Sequence, residues 1–232
     1  MHHACESYNF HKLVVERIIM NAKTEKISEV VIRRLTDYLR CLKHAQDAGK
    51  KFMKSSEISS ECGLNPSIIR KDLAHFGAYG VKGTGYKIDD LIENLHKILG
   101  LTKTREVVLI GAGNLGTAMI KYPGFRSVNF NFIAAFDTDE KKIGQLVGAT
   151  EIYPMSALND FIAKNKIEIV VLAVPSSETI GIVESLNSDN VKGVLNFTSE
   201  ILPTRKNNMF IHNIDLAKEL EVISFCMKNC LS

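Results

Sequence analysis

Val107-Val108-Leu109-Ile110-Gly111-Ala112-Gly113-Asn114-Leu115-Gly116 decides the fold. Four branched apolar residues in a row read as a strand buried on both faces, and they run directly into G-x-G-x-x-G and a helical segment. The spacing has a mechanical reason. Gly111 permits a tight turn out of the strand, Gly113 lets the backbone approach a pyrophosphate, and Gly116 lets the helix pack closely on the sheet. The amides of the turn and first helical residues, with Ala112, Asn114 and Leu115 among their carriers, face the phosphates.

Downstream residues sharpen the motif. Residues 131–136 read as the next strand, ending at Asp137, which lies 21 residues after Gly116. An acid there accepts hydrogen bonds from the adenosine ribose hydroxyls and repels a 2′-phosphate. No arginine neighbours Asp137 in the sequence, so NAD and NADH are favoured over their phosphorylated forms. Residues 167–174 and 191–197 read as further strands with helical segments between, which means a parallel sheet with helices on both faces. Their ends, Val174-Pro175 and Asn196-Phe197-Thr198, line the ligand crevice, the first under the nicotinamide ribose and the second near the carboxamide.

A dehydrogenase also needs a proton-transfer residue and a substrate anchor. This half has a single histidine, His212, and Tyr122 is not followed by lysine four residues on. No catalytic residue is therefore assigned, and no metal site.

Upstream, residues 27–102 read as a helical domain. Val30, Val31, Leu35, Tyr38, Leu39 and Leu42 form an apolar stripe, with Ser28 as N-cap and Gly49 as stop. Ser55 or Ser56 caps a short helix ending at Gly63, and Asn65-Pro66 opens a third helix through about Phe76. A glycine-rich stretch, residues 77–86, reads as a turn and hairpin with Lys82 at its tip, and residues 89–99 form a fourth helix. This order is that of a winged helix-turn-helix. In the third helix Ser67, Arg70 and Lys71 face outward while Ile68, Ile69 and Leu73 turn inward. Arg70 would reach guanine in the major groove and Lys71 the phosphates. Ser55 and Ser56 suit phosphate, and Lys82 the minor groove or backbone. Residues 1–105 carry 18 Lys and Arg against 12 Asp and Glu, whereas residues 106–232 carry 11 against 14. Only the basic front half is suited to a polyanion.

No apolar run approaches the roughly 20 residues that span a bilayer, and the start lacks a signal-peptide core, so a cytoplasmic location is expected. Five cysteines, with no C-x-x-C pair, argue against a zinc site or a disulfide framework. Cys226 and Cys230 stand one helical turn apart. The domain boundaries expected are 1–26 for an N-terminal extension, 27–102 for the winged helix, 103–212 for a Rossmann domain and 213–232 for a C-terminal helix. On the pattern alone, an NAD-dependent oxidoreductase with an accessory helical domain and a winged-helix protein adaptor both stay open.

Ile68-Ile69-Arg70-Lys71-Asp72-Leu73-Ala74-His75-Phe76-Gly77-Ala78-Tyr79-Gly80 closely resembles the Rex family of redox-sensing repressors. So do Gly83-Thr84-Gly85-Tyr86, Tyr122-Pro123-Gly124-Phe125, Phe136-Asp137-Thr138-Asp139, Lys142-Ile143-Gly144 and Asn213-Ile214-Asp215-Leu216. The resemblance runs in unbroken order from about Ile27 to Phe225. It implies a homodimer with an exchanged C-terminal helix, binding palindromic operator DNA and released by NADH. It also implies a switch in which Asp215 exchanges between Arg40 and the other subunit's Tyr122. Leu216 departs from the phenylalanine that some relatives place near the nicotinamide, and the tail after Glu219 is short.

Overall fold

The computed structural model describes residues 27–77, 80–186 and 189–230. The N-terminal extension 1–26, and Ala78 and Tyr79 of the glycine-rich stretch, lie outside them. The chain divides into two compact units, Met1–Thr102 and Lys103–Ser232.

The first unit opens with α1 (Glu29–Asp47), which Ser28 caps by accepting from the Val31 amide. Leu35, Tyr38, Leu39 and Leu42 are buried and Val31 packs against them, but Val30 is exposed. At about 100° per residue Val30 points away from that stripe. After Gly49, with φ +78°, comes a short strand, β1 (Phe52–Met53), then α2 (Ser55–Cys62) and α3 (Pro66–His75). Neither serine caps α2. Lys54 occupies the cap position, and the Glu57 carboxylate accepts from the Lys54 amide at 2.7 Å, so the reciprocal half of a capping box replaces a hydroxyl. In α3, Asn65 accepts from the Ser67 amide at 2.8 Å and Pro66 takes the first turn.

Strand β2 (Tyr86–Lys87) pairs antiparallel with β1, and α4 (Ile88–Ile98) closes the unit. In the glycine-rich stretch Val81 bridges Gly85 antiparallel around Lys82, which places Lys82 in the tight turn as expected, and the strand beyond pairs with residues preceding α2. The sequence gives two-residue β1 no periodicity by which to be seen.

One polar cluster ties α1 to α3. Asp72, 7% exposed, accepts from Arg34 through Nε at 2.6 Å and Nη2 at 2.8 Å, and from the Tyr38 hydroxyl at 2.9 Å. It sits among Ile69, Leu73 and the α1 core, so it fixes how α3 is rotated about its axis.

The second unit is an eight-stranded sheet: β3 (Arg105–Ile110), β4 (Phe130–Asp137), β5 (Leu146–Val147), β6 (Thr150–Pro154), β7 (Ile169–Leu172), β8 (Gly193–Asn196), β9 (Arg205–Lys206) and β10 (Met209–Asn213). Its order is β5-β6-β4-β3-β7-β8-β10-β9. The six inner strands are parallel, while β5 and β9 run antiparallel at the edges, so the sheet is mixed rather than wholly parallel. The inner strands follow the 3-2-1-4-5-6 order of dinucleotide-binding sheets, with the switch point between β3 and β7. Alternate residues of β3 serve the two faces. Val107 and Leu109 pack with Met119 and Ile120 of α5 (Asn114–Lys121). Val108 and Ile110 pack with Leu158 and Ile162 of α6 (Leu158–Asn165) and Val183 of α7 (Ser176–Ser185). The last helix, α8 (Leu216–Cys230), has Leu216, Leu220, Ile223 and Met227 along one face, all exposed. Among the described residues no helix is long and apolar enough to cross a membrane, and no His, Cys, Asp and Glu cluster is gathered to hold a metal.

Burial works to raise the Asp72 pKa, and the Arg34 guanidinium and Tyr38 hydroxyl outweigh it, leaving the carboxyl below its usual range. A depressed folded-state pKa contributes stability that is complete above the unfolded value near 4 and is lost as pH falls through the folded value. Asp72→Ala should cost the first unit about 2–4 kcal/mol at pH 7 by urea denaturation. The deficit relative to wild type should shrink below pH 4; a pH-independent deficit would show that the charge contributes nothing.

Candidate functional site

At the end of β3 the three glycines have three different reasons. Gly111 has φ +96°, and a Cβ there would fall on the Ala173 carbonyl and within 2.9 Å of Val174 Cγ1. A Cβ on Gly116 would fall on the Gly111 carbonyl and within 2.8 Å of Leu109 Cδ2. Gly113 is the opposite case, with nothing within 4 Å of its missing Cβ. The turn is thus packed from behind by Gly111 and Gly116 and open in front at Gly113. Gly113 is also the N-cap of α5, and no side chain occupies the cap, which leaves the helix start to an outside acceptor. Asn114 and Leu115 are exposed there, and Ala112 is buried.

Asp137 ends β4 beside this turn. Its Oδ2 accepts from the Ala112 amide at 2.9 Å and from Lys142 Nζ at 3.1 Å, and its Oδ1 from the Asp139 amide at 2.9 Å. Burial works to raise its pKa; the Asp139 amide, Lys142 and the Ala112 amide together bring it below the normal carboxylate range. Lys142 stands five positions after the acid and is not singled out by the dinucleotide motif. The turn between them brings its ammonium back onto Asp137.

Val174 reaches the same place through its contact with Gly111, and Pro175 is exposed at the cap of α7. Asn196, Phe197 and Thr198 stand at the end of β8. The Asn196 amide group donates to the Glu200 carbonyl at 2.7 Å and Asn213 Oδ1 at 2.8 Å, and its Oδ1 accepts from the Thr198 amide and hydroxyl. The Asn196 and Thr198 side chains are buried and shape this loop, and the half-buried Phe197 packs against the cluster of Val107, Leu109, Met119 and Ile120. Tyr122 follows α5, 60% exposed, with its ring lying over Gly124 and edge-on to Phe125 at 5.6 Å. Asp215 caps α8, its Oδ1 accepting from the Ala217 and Lys218 amides.

In the first unit, Ser67, Arg70 and Lys71 are exposed on α3. Ile69 and Leu73 are buried, but Ile68 is 40% exposed, against the inward place expected of it. It lies about 100° around the helix from Ile69, which puts it on the flank beside Lys71. Arg70 Nη1 donates to Ser55 Oγ at 3.0 Å. Arg70, Ser55, Lys54, Lys82 and Tyr86 line a groove of about 420 Å³. Lys54 was not among the expected residues. Ser56 is exposed at the start of α2, and Arg40 is exposed on α1.

A winged helix-turn-helix unit joined to a doubly wound sheet with an open glycine turn defines a class of two-domain regulators. Residues 26–74 match a family model described as "Putative DNA-binding protein N-terminus", and residues 102–200 one described as "CoA binding domain". The redox-sensing transcriptional repressor Rex of Thermosipho africanus is 37% identical over 87% of this chain and 96% of its own length. That of Desulfitobacterium hafniense is 39% identical over 88% and 96%. The crystal structure of RSP in complex with β-NAD⁺ and operator DNA has a TM-score of 0.82 at 34% identity, covering 88% of this chain and 93% of that one. RSP in complex with β-NADH has a TM-score of 0.78 at 33% identity, covering 88% and 95%. The chain belongs to the Rex family of redox-sensing transcriptional repressors.

The different surroundings of the glycines make a paired prediction. Gly113→Ala should leave thermal stability within about 1 kcal/mol of wild type, because its Cβ meets open space. Gly116→Ala should lose more than about 2 kcal/mol as the helix is pushed off the sheet. Denaturant melts of the two variants check this, and equal losses would contradict it.

Proposed function

We propose that this chain is a homodimeric transcriptional repressor that binds a palindromic operator and lets it go when NADH occupies the glycine turn. The reading is carried by one observation: the same chain holds an open, uncapped dinucleotide turn beside Asp137 and an exposed basic helix presented by a rigid core.

Arg70 reads guanine, pre-oriented by Ser55, while Lys71, Lys54, Ser56 and Lys82 hold phosphates, and Ser67 sits at the leading end of the helix. Ile68 adds an apolar contact suited to a thymine methyl. In the other unit the pyrophosphate lies at Gly113 and the start of α5. Asp137 takes the adenosine ribose, with the Asp139 amide and Lys142 holding the carboxylate ionised. Val174, Pro175 and Phe197 border the nicotinamide. The oxidised ring is cationic and the reduced ring neutral, so an apolar border charges the first a desolvation cost and accepts the second. The chain needs no catalytic step for this, in keeping with relatives named as repressors.

The dimer is built by exchange of α8, whose Leu216, Leu220, Ile223 and Met227 face is exposed within one chain and needs a partner. Asp215, at the head of α8, is the switch carboxylate, and Arg40 and Tyr122 are its alternative partners. A coupling of about 1–3 kcal/mol would change operator affinity roughly 5- to 150-fold.

Fluorescence anisotropy of a labelled palindromic duplex tests the reading. Wild type should bind and be released by NADH far better than by NAD⁺, whereas NADH-insensitive binding would refute the switch. Arg70→Ala should lower operator affinity at least tenfold with NADH affinity kept; an unchanged isotherm would remove α3 from recognition. Asp215→Asn keeps an N-cap oxygen while deleting the charge. It should bind both ligands yet lose most NADH-driven release, and full release would dismiss Asp215 as the switch.

A further inference from the structure

Two of the five cysteines, distant in sequence, are placed together. Cys41 lies in the buried face of α1 and Cys62 is the last residue of α2, and their sulfurs are 2.7 Å apart. Both are free thiols. They belong to neither the operator face nor the dinucleotide turn. Cys41 is packed in the core, whereas Cys62 is only partly covered, at the point where α2 gives way to Gly63 and the turn into α3. A disulfide bond needs about 2.05 Å between sulfurs, so closing this pair asks for a small side-chain adjustment rather than movement of a helix.

We propose that Cys41 and Cys62 form a reversible disulfide that clamps the helix-turn-helix onto α1, giving the first unit a peroxide-responsive thiol site of its own. Hydrogen peroxide is the oxidant. The partly exposed Cys62 thiol is oxidised to a sulfenic acid and one water leaves. The Cys41 sulfur then attacks the Cys62 sulfur, its proton departs with the sulfenic oxygen as a second water, and the S–S bond forms. Two thiols have given up two electrons to one peroxide. A dithiol returns the electrons by exchange and itself becomes a disulfide. The order follows from exposure: burial first, and then the adjoining Cys62, pushes the Cys41 thiol up to about 12, so it meets peroxide poorly on its own. A crosslink from α1 to the end of α2 closes the unfolded chain across the last turn and a half of α1, β1 and α2, which raises the stability of the unit.

The test uses the full chain without DNA or nicotinamide nucleotide, so its outcome is separate from that of the repressor reading. After graded hydrogen peroxide, remaining thiols are alkylated and the digest is mapped by mass spectrometry. A peptide joining Cys41 to Cys62, two hydrogens lighter than the sum and removed by dithiothreitol, is expected. The melting temperature of the first unit should rise by more than about 5 °C in wild type and not in Cys62→Ser. Alkylation of both residues under conditions that fully oxidise Cys226, or their recovery as separate sulfinic acids, would overturn the proposal.

Discussion

Where β3 and β7 end, three stretches of backbone meet with no room for a side chain between them. The Gly111 turn rests on the Ala173 carbonyl, and α5 rests on the Gly111 carbonyl through Gly116. This contact fixes the start of α5, and with it the direction in which its free amides point. It also holds the Ala112 amide where Asp137 can accept from it, so turn and acid form one preassembled unit. Everything proposed for the sheet depends on that packing, because a dinucleotide is positioned by where the amides face and not by any long side chain.

The winged-helix unit solves a parallel problem with charge. Its α3, the helix proposed to read DNA, could rotate on a purely apolar core, which has no directional contacts. The Arg34–Asp72–Tyr38 cluster removes that freedom, and the Ser55 hydroxyl steadies Arg70 on the outer side. With the reading face fixed in each subunit, a ligand can act on DNA binding by changing the distance between two such faces. Successive major grooves lie about 34–36 Å apart, so a modest change of subunit arrangement is enough to lose one of them.

Much of this was legible because the signals are local. Strand β3, the three glycines and Asp137 state their roles through spacing, and Asn65-Pro66 announces α3. The losses have physical causes. Strands β1 and β5 are two residues long and carry no period. The capping of α2 by Glu57 needs no hydroxyl, so serine was the wrong signal. Val30 and Ile68 sit one helical step from a neighbour that packs on the core, and a step of about 100° separates core from solvent. At the end of β8 the hydrogen bonds of Asn196 and Thr198 to one another, to the Glu200 carbonyl and to the Asn213 side chain come from irregular or sequence-distant partners that no pattern announces. Asp72, Lys142 and the Cys41–Cys62 pair matter through partners that only folding supplies.

The central claim is that operator and NADH favour different states of one dimer, and thermodynamic linkage makes this a symmetrical statement. Calorimetric titration of NADH into the protein, alone and saturated with operator duplex, tests it most directly. The account requires the duplex to weaken NADH binding by the same factor by which NADH weakens operator binding. An NADH affinity unaltered by bound duplex would contradict it.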